Sequence, residues 1–107
     1  MAVRHNTPVG LTTLTLVEVL QGIRFDSRFQ AARRHFKALP IFEAVSESLA
    51  IQSAANYRAL RAKGITIRTT VDSIVATFCI EDGHLLLHSD VDFDYFERFL
   101  ALQVVHP

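Results

Sequence analysis

The residues of this sequence best suited to chemistry are carboxylates. Asp72, Asp90, Asp92 and Asp94 stand toward the C-terminal end, and Glu18 stands far upstream among Leu14, Val17, Val19 and Leu20. Asp90 follows closely on the apolar run Leu85-Leu86-Leu87, while Asp72 falls in the first turn of a nearly all-apolar predicted helix. Sites in parallel α/β sheets form at the carboxyl ends of the strands, where the following helices begin. Asp90, Asp72 and Glu18 are all expected at that edge. Carboxylates gathered there repel one another, and a hard divalent cation such as Mg²⁺ or Mn²⁺ relieves the repulsion. The same residues also have structural roles open to them. Asp72 can complement a helix dipole, and one of Asp90, Asp92 and Asp94 can cap the next helix. Glu18 is harder to place, because Glu is rarely fully buried without a partner.

Other chemistries fail on spacing. His88-Ser89-Asp90 contains the residue types of a hydrolase triad, but neighbours in an extended strand point to opposite faces. His84 and His88 are four residues apart, which along a strand is roughly 13 Å. The lone Cys79 and scattered histidines do not suit a zinc site. The glycines at 10, 22, 64 and 83 are too dispersed for a phosphate-binding loop.

The elements that must position the carboxylates can be read from periodicity. Residues 11–20 (LTTLTLVEVL) begin Thr-rich and β-compatible and end as a helix that stops near Gly22, with Thr13 or Thr15 as its cap. Asp26 and Ser27 offer the next N-cap. Phe29, Ala32, Phe36 and Leu39 then mark one helix face, which Pro40 ends. Ile41–Val45 is a short strand candidate. Ser46 starts a longer helix that runs toward Gly64, with Ala50, Ala54, Tyr57 and Leu60 as its expected buried stripe. Ile65-Thr66-Ile67 reads as extended. Thr69 or Thr70 caps a helix to Gly83 that is apolar around most of its girth and therefore expected between layers. Leu85–Leu87 reads as a strand covered on both faces. Asp92 is the expected cap of a helix over 93–100, and residues 102–105 close as a strand. Helix, buried strand, helix, strand is the rhythm of parallel crossover units, so the fold class is α/β.

At 107 residues the chain is expected to be a single domain, and half its residues are hydrophobic against 21% charged, a globular composition. Eleven Lys and Arg balance eleven Asp and Glu, but unevenly. Residues 1–70 hold ten of the basic and four of the acidic residues, which predicts a basic surface beside an acidic pocket. One cysteine excludes an internal disulfide and fits a reducing compartment. No apolar run reaches the ~18 residues of a membrane span, and residues 1–10 lack the apolar stretch of a signal peptide. The expected location is cytoplasmic.

The segment ITIRTTVDSIVATFCIEDGHLLLHSDVDFDYF resembles the C-terminal half of a PIN-domain ribonuclease of the VapC toxin type. Thr70-Val71-Asp72-Ser73-Ile74-Val75-Ala76, Gly83, Leu85–Leu87 and Asp90-Val91-Asp92-Phe93 follow that family's order of motifs, and LTLVEVLQGIR resembles its second motif, with Glu18 as the acidic residue. Residues 54–61 (AANYRALR) are similar as well, so the resemblance covers roughly residues 11–107.

The resemblance implies a three-layer α/β/α domain with a parallel sheet. It also implies an endoribonuclease, the toxin of a toxin–antitoxin pair, in which Glu18, Asp72 and Asp90 bind Mg²⁺ or Mn²⁺ and Asp92 assists. Attack by water would leave a 5′-phosphate and a 3′-hydroxyl. Arg24 to Lys37, with Arg58, Arg61 and Arg68, would supply a surface for the RNA backbone. A homodimer and an antitoxin peptide across the site are further implications. The family opens with a strand ending in Asp, and residues 1–10 contain no acidic residue. That first strand and its ligand are therefore expected to be missing, with Ala2-Val3-Arg4, a partner chain or a swapped subunit in the gap. The alternative expectation is an impaired binding module that sequesters an antitoxin.

Overall fold

The computed structural model describes residues 2–3, 10–88 and 90–105. In chain order these form β1 (Ala2–Val3), β2 (Leu11–Thr12), α1 (Thr13–Gln21), α2 (Asp26–Lys37), β3 (Ile41–Phe42), α3 (Glu47–Ala62), α4 (Thr70–Asp82), β4 (Leu85–Leu87), α5 (Val91–Leu100) and β5 (Gln103–Val105). The architecture is α/β, with short strands between helices. No described helix is long and apolar enough to cross a membrane.

The strands form two small sheets rather than one parallel sheet. One has the order β1-β4-β5, and the other pairs β2 with β3. The β4–β5 and β2–β3 pairs are parallel, as the crossover rhythm requires. β1 runs antiparallel to β4, with Ala2 opposite Leu86 and Val3 opposite Leu85. Ala2 and Val3 thus occupy an edge of β4, antiparallel to it, while Arg4 lies outside the described residues.

Caps decide where the helices begin. α1 starts at Thr13 because Thr12, still extended, accepts the Thr15 N–H on its hydroxyl at 3.0 Å, so the cap is Thr12 rather than Thr13 or Thr15. Ser46 and Thr69 cap α3 and α4 as the sequence predicts. Asp26 does not cap α2; it sits in the first turn behind Phe25 and acts there on the helix dipole. α5 is capped by Asp90, not Asp92, because Asp90 alone is extended and accepts the Asp92 N–H. α4 ends at Gly83, whose left-handed φ of 70° suits glycine. Residues 65–67 join α3 to α4 without pairing in a sheet.

Leu60, Ala76, Cys79, Leu86 and Phe96 form the centre of the core, each at most 1% exposed. α4 is the buried helix, with Ser73 and every residue from Val75 to Cys79 inside. β4 is less covered than expected: Leu86 is buried, whereas Leu85 and Leu87 are half-buried. The buried imidazole of His84 stacks on Phe78 of α4, with centroids 5.1 Å apart, and meets Phe42 of β3 at 4.8 Å. This aromatic group couples the two sheets across α4.

α3 turns a different face inward from the predicted one. Ser53, Asn56 and Leu60 are buried and Tyr57 is half-buried, but Ala50 and Ala54 are exposed. The cause is a polar bridge: Asn56 donates from Nδ2 to the buried Thr77 hydroxyl of α4 at 3.0 Å. A buried amide must find a partner, and satisfying it sets the rotation of the helix. α2 buries nothing completely, although Phe29, Ala32, Phe36 and Leu39 do share its half-buried face.

Gly10 enters the β2–β3 pair against Pro40 and Phe42. A Cβ there would lie 2.6 Å from Phe42 Cε2 and 2.8 Å from the Pro40 carbonyl oxygen. Gly10→Ala is expected to destabilise the chain by about 1–3 kcal/mol, the usual cost of overpacking. Urea denaturation measures this, and an unchanged midpoint would contradict the close approach.

Candidate functional site

Three of the predicted site residues meet where α4 and α5 begin. Asp72 lies in the first turn of α4, Asp90 caps α5, and Asp92 lies in the first turn of α5. Arg68, which the sequence suggested only for a backbone-binding surface, stands between the carboxylates. Its Nη2 donates to Asp90 Oδ1 at 2.7 Å, and its Nε donates to Asp92 Oδ2 at 3.0 Å. The Arg68 backbone N–H reaches the same Asp92 oxygen, also at 3.0 Å.

Asp92 is only 4% exposed, so its charge must be met inside the protein, and Arg68 meets it twice. The grip on the Arg68 backbone also places Thr69, and Thr69 in turn caps α4 by accepting the Asp72 N–H at 3.1 Å. One chain of hydrogen bonds therefore runs from the start of α5 to the start of α4. His88 holds the other side of the cluster, since its Nδ1 accepts the Asp90 N–H at 3.1 Å and its ring lies 4.8 Å from Phe93. His88 and Asp90, which the sequence excluded as members of a triad, instead share this local bond. Ser89 lies outside the described residues.

Electrostatics register the crowding. The Asp72 carboxyl is held above its ordinary value, first by partial burial and then by the negative charges of Asp90 and Asp92, against a hydrogen bond from Thr69 and the charge of Arg68. Arg68 is raised above its ordinary value, first by its hydrogen bond to Asp92 and then by the charges of Asp90 and Asp92. Three carboxylates against one guanidinium leave an excess of two negative charges at the site.

Glu18 is placed differently from its expected apolar setting. It is exposed on α1 between the exposed Val17 and Val19, so it needs no buried partner. α1 does pack against α4, which carries Asp72. Asp94, in the first turn of α5, is also exposed.

The donors suit a hard divalent cation in kind, because Mg²⁺ is commonly held by one or two carboxylates with waters completing its shell. Their arrangement is that of a guanidinium-bridged cluster. Among the described residues no three His, Cys, Asp or Glu side chains are grouped to hold a metal. Asp90 Oδ1 and Asp92 Oδ2 are already engaged by Arg68.

No family model matches the chain. Over 88 residues it is 33% identical to a VapC ribonuclease of Mycobacterium bovis and to ribonuclease VapC11 of Mycobacterium tuberculosis, a match that takes in 81% of this chain. The chain covers 65% of each relative's length, slightly under two thirds. Its fold is that of a chain in the crystal structure of VapBC2 from Rickettsia felis bound to a promoter DNA fragment, with a TM-score of 0.73 and 19% identity over 94% of this chain and 76% of that one. The chain is therefore similar in sequence to VapC ribonucleases over most of its length and shares its α/β fold with a chain of the VapBC2 structure.

The cluster makes stability depend on pH. A carboxyl held high binds its proton more tightly in the folded chain than in the unfolded one. Stability therefore falls as pH rises from the ordinary Asp range through the raised value of Asp72. In chelator, Asp72→Asn is expected to melt higher than the wild type at pH 7 and to converge with it below about pH 3. Equal melting at pH 7 would contradict the raised value of Asp72. Asp92→Ala, which strands the Arg68 N–H, should cost about 1–3 kcal/mol. Arg68→Ala, which leaves the buried Asp92 carboxylate without its guanidinium, should cost at least as much, and a neutral result in denaturant titrations would contradict the geometry.

Proposed function

We propose that this chain is itself a metal-dependent endoribonuclease, the toxin of a toxin–antitoxin pair, which hydrolyses RNA phosphodiester bonds. The observation that carries the reading is the uncompensated charge at Asp72, Asp90 and Asp92, which equals that of one divalent cation. Asp72 and Asp90 would hold Mg²⁺ or Mn²⁺ with Asp92 assisting, and Glu18, carried on the helix packed against α4, is the remaining carboxylate of the proposed set. The ion would lower the pKa of a bound water and stabilise charge on the phosphodiester. Arg68 positions Asp90 and Asp92 and keeps their mutual repulsion tolerable. Thr69 and Asp92 set the direction of α4 and hence of Asp72. Positive charge on α2 and α3 is available for the RNA backbone.

The same proposal includes a homodimer, an antitoxin partner and a cytoplasmic location. Cys79 is a buried free thiol that burial pushes up to about 12 and that is unreactive at neutral pH.

A second reading is supported by the bridging of Asp90 and Asp92 by Arg68. It takes the chain as an impaired module that sequesters an antitoxin without cutting RNA.

Cleavage of a mixed structured RNA pool separates the two readings. The nuclease is expected to cut with Mn²⁺, to stop in EDTA, and to lose at least about a hundredfold in rate in Asp72→Asn. A folded wild type that cuts nothing, yet retains antitoxin when Glu18 and Asp72 are both replaced, would overturn the nuclease in favour of the binding module.

A further inference from the structure

Arg68 grips the acidic cluster with two unequal arms. The inner arm lies on Asp92, whose side chain is 5% exposed: Nε and the backbone N–H both donate to Oδ2 at 3.0 Å. The outer arm is one bond, from Nη2 to Asp90 Oδ1 at 2.7 Å, and the Asp90 side chain is 39% exposed. The Arg68 side chain is itself 64% exposed, so solvent reaches the outer arm. Release of that arm strands no buried group. Asp90 keeps its place, because its Oδ1 also accepts the Asp92 N–H at 3.0 Å and its own N–H donates to His88 Nδ1 at 3.1 Å. Asp92 keeps both bonds to its Oδ2. An exposed ion pair contributes little and is screened by salt, whereas a buried carboxylate stripped of its partner is strongly destabilising. The outer arm is therefore the one that opens.

We propose that Arg68 is a built-in competitor for the divalent cation and thereby sets the affinity of the site: its outer arm occupies Asp90 in the cation-free chain and is released when an ion binds there, while its inner arm stays on Asp92. The assignment rests on the cation reading above. The guanidinium and the ion both seek the negative charge of Asp90, and two cations held at one carboxylate repel each other. Arg68 therefore makes the cluster a weaker cation site than its carboxylates would be alone. It also holds the ion-free cluster together, where Asp72, Asp90 and Asp92 would otherwise repel without relief. In the loaded chain Asp92 continues to hold the Arg68 backbone, and so the Thr69 cap of α4 stays in place. Lysine separates charge from occupancy at this position. It keeps the positive charge, but its single ammonium lacks the planar fork that spans two carboxylates, and the buried Asp92 retains it.

The test is Mn²⁺ binding to the full chain, followed by the electron paramagnetic resonance signal of the free ion, in the wild type, Arg68→Lys, Arg68→Gln and Asp72→Asn. Binding that is lost in Asp72→Asn is binding at the cluster. Arg68→Lys is expected to bind Mn²⁺ about threefold more tightly than the wild type, the worth of one exposed arm. Arg68→Gln, which removes the charge as well, is expected to gain about tenfold or more. Melting in EDTA and in Mn²⁺ adds a second readout. The same Mn²⁺ concentration should raise the melting temperature of Arg68→Lys by more than that of the wild type. A purely structural Arg68 would lower stability in these variants without tightening the ion. The wild type alone supplies a third readout, which needs no variant to fold. In nuclear magnetic resonance with Mg²⁺, the Arg68 Nη groups should begin to rotate freely while the Nε–H stays protected from exchange.

Cluster binding that both Arg68 variants leave equal or weaker would overturn the competition while leaving the cation site intact. Nη groups that saturating Mg²⁺ leaves unmoved would do the same. Binding that is absent from the wild type and present once Arg68 is replaced would support the competition and favour the impaired module over the nuclease. Binding by none of the chains, or binding that Asp72→Asn leaves unchanged, would overturn the competition and the cation reading together.

Discussion

The carboxylate of Asp92 is the point on which the rest of the site depends. It is buried and charged, and it takes both the backbone and the side chain of Arg68 on one oxygen. A buried charge is tolerated only when it is paired and hydrogen-bonded, so this contact constrains two segments that are distant in sequence. Through Arg68 it fixes the residue that caps α4. Through the shared guanidinium it fixes the residue that caps α5. The starts of two helices are thus tied together, and the negative side chains in their first turns are brought close.

The same device carries a cost that bears on function. Helix starts favour negative charge, but carboxylates gathered at two such starts repel, and the charges of Asp90 and Asp92 add to the partial burial that holds the Asp72 carboxyl above its ordinary value. One arginine cannot balance three carboxylates. Arg68 holds one oxygen of Asp90 and one of Asp92, so the arrangement of both carboxylates depends on this one residue.

Polar contacts in the interior shape the remainder of the fold. Asn56 and Thr77 decide how α3 sits on α4, and the apolar stripe that would otherwise be buried is left lining a groove. His84 lies among Phe42 and Phe78 and joins the small β2–β3 sheet to the core helix. Strands of two or three residues have few ladder hydrogen bonds, so side-chain packing against α4 must do much of the work of holding the sheets together.

Much of this was legible in the residues themselves. The α/β rhythm, the α3 and α4 caps at Ser46 and Thr69, the stop at Gly83 and the helix buried between layers all follow from local rules, because capping and periodicity involve neighbours in sequence. The motif order around Asp72, Asp90 and Asp92 pointed to the same proteins that the sequence and fold comparisons then found similar. What only the tertiary structure decided depends on contacts between distant segments. The exposure of Glu18, the turning of α3 by Asn56, the antiparallel seat of Ala2–Val3 and the place of Arg68 among the carboxylates are of this kind. Arg68 and His88 carried a faint signal, being close in sequence to Asp72 and Asp90. Periodicity assigns a residue to a face, but it cannot say which opposite charge, across 24 residues of chain, that face will meet.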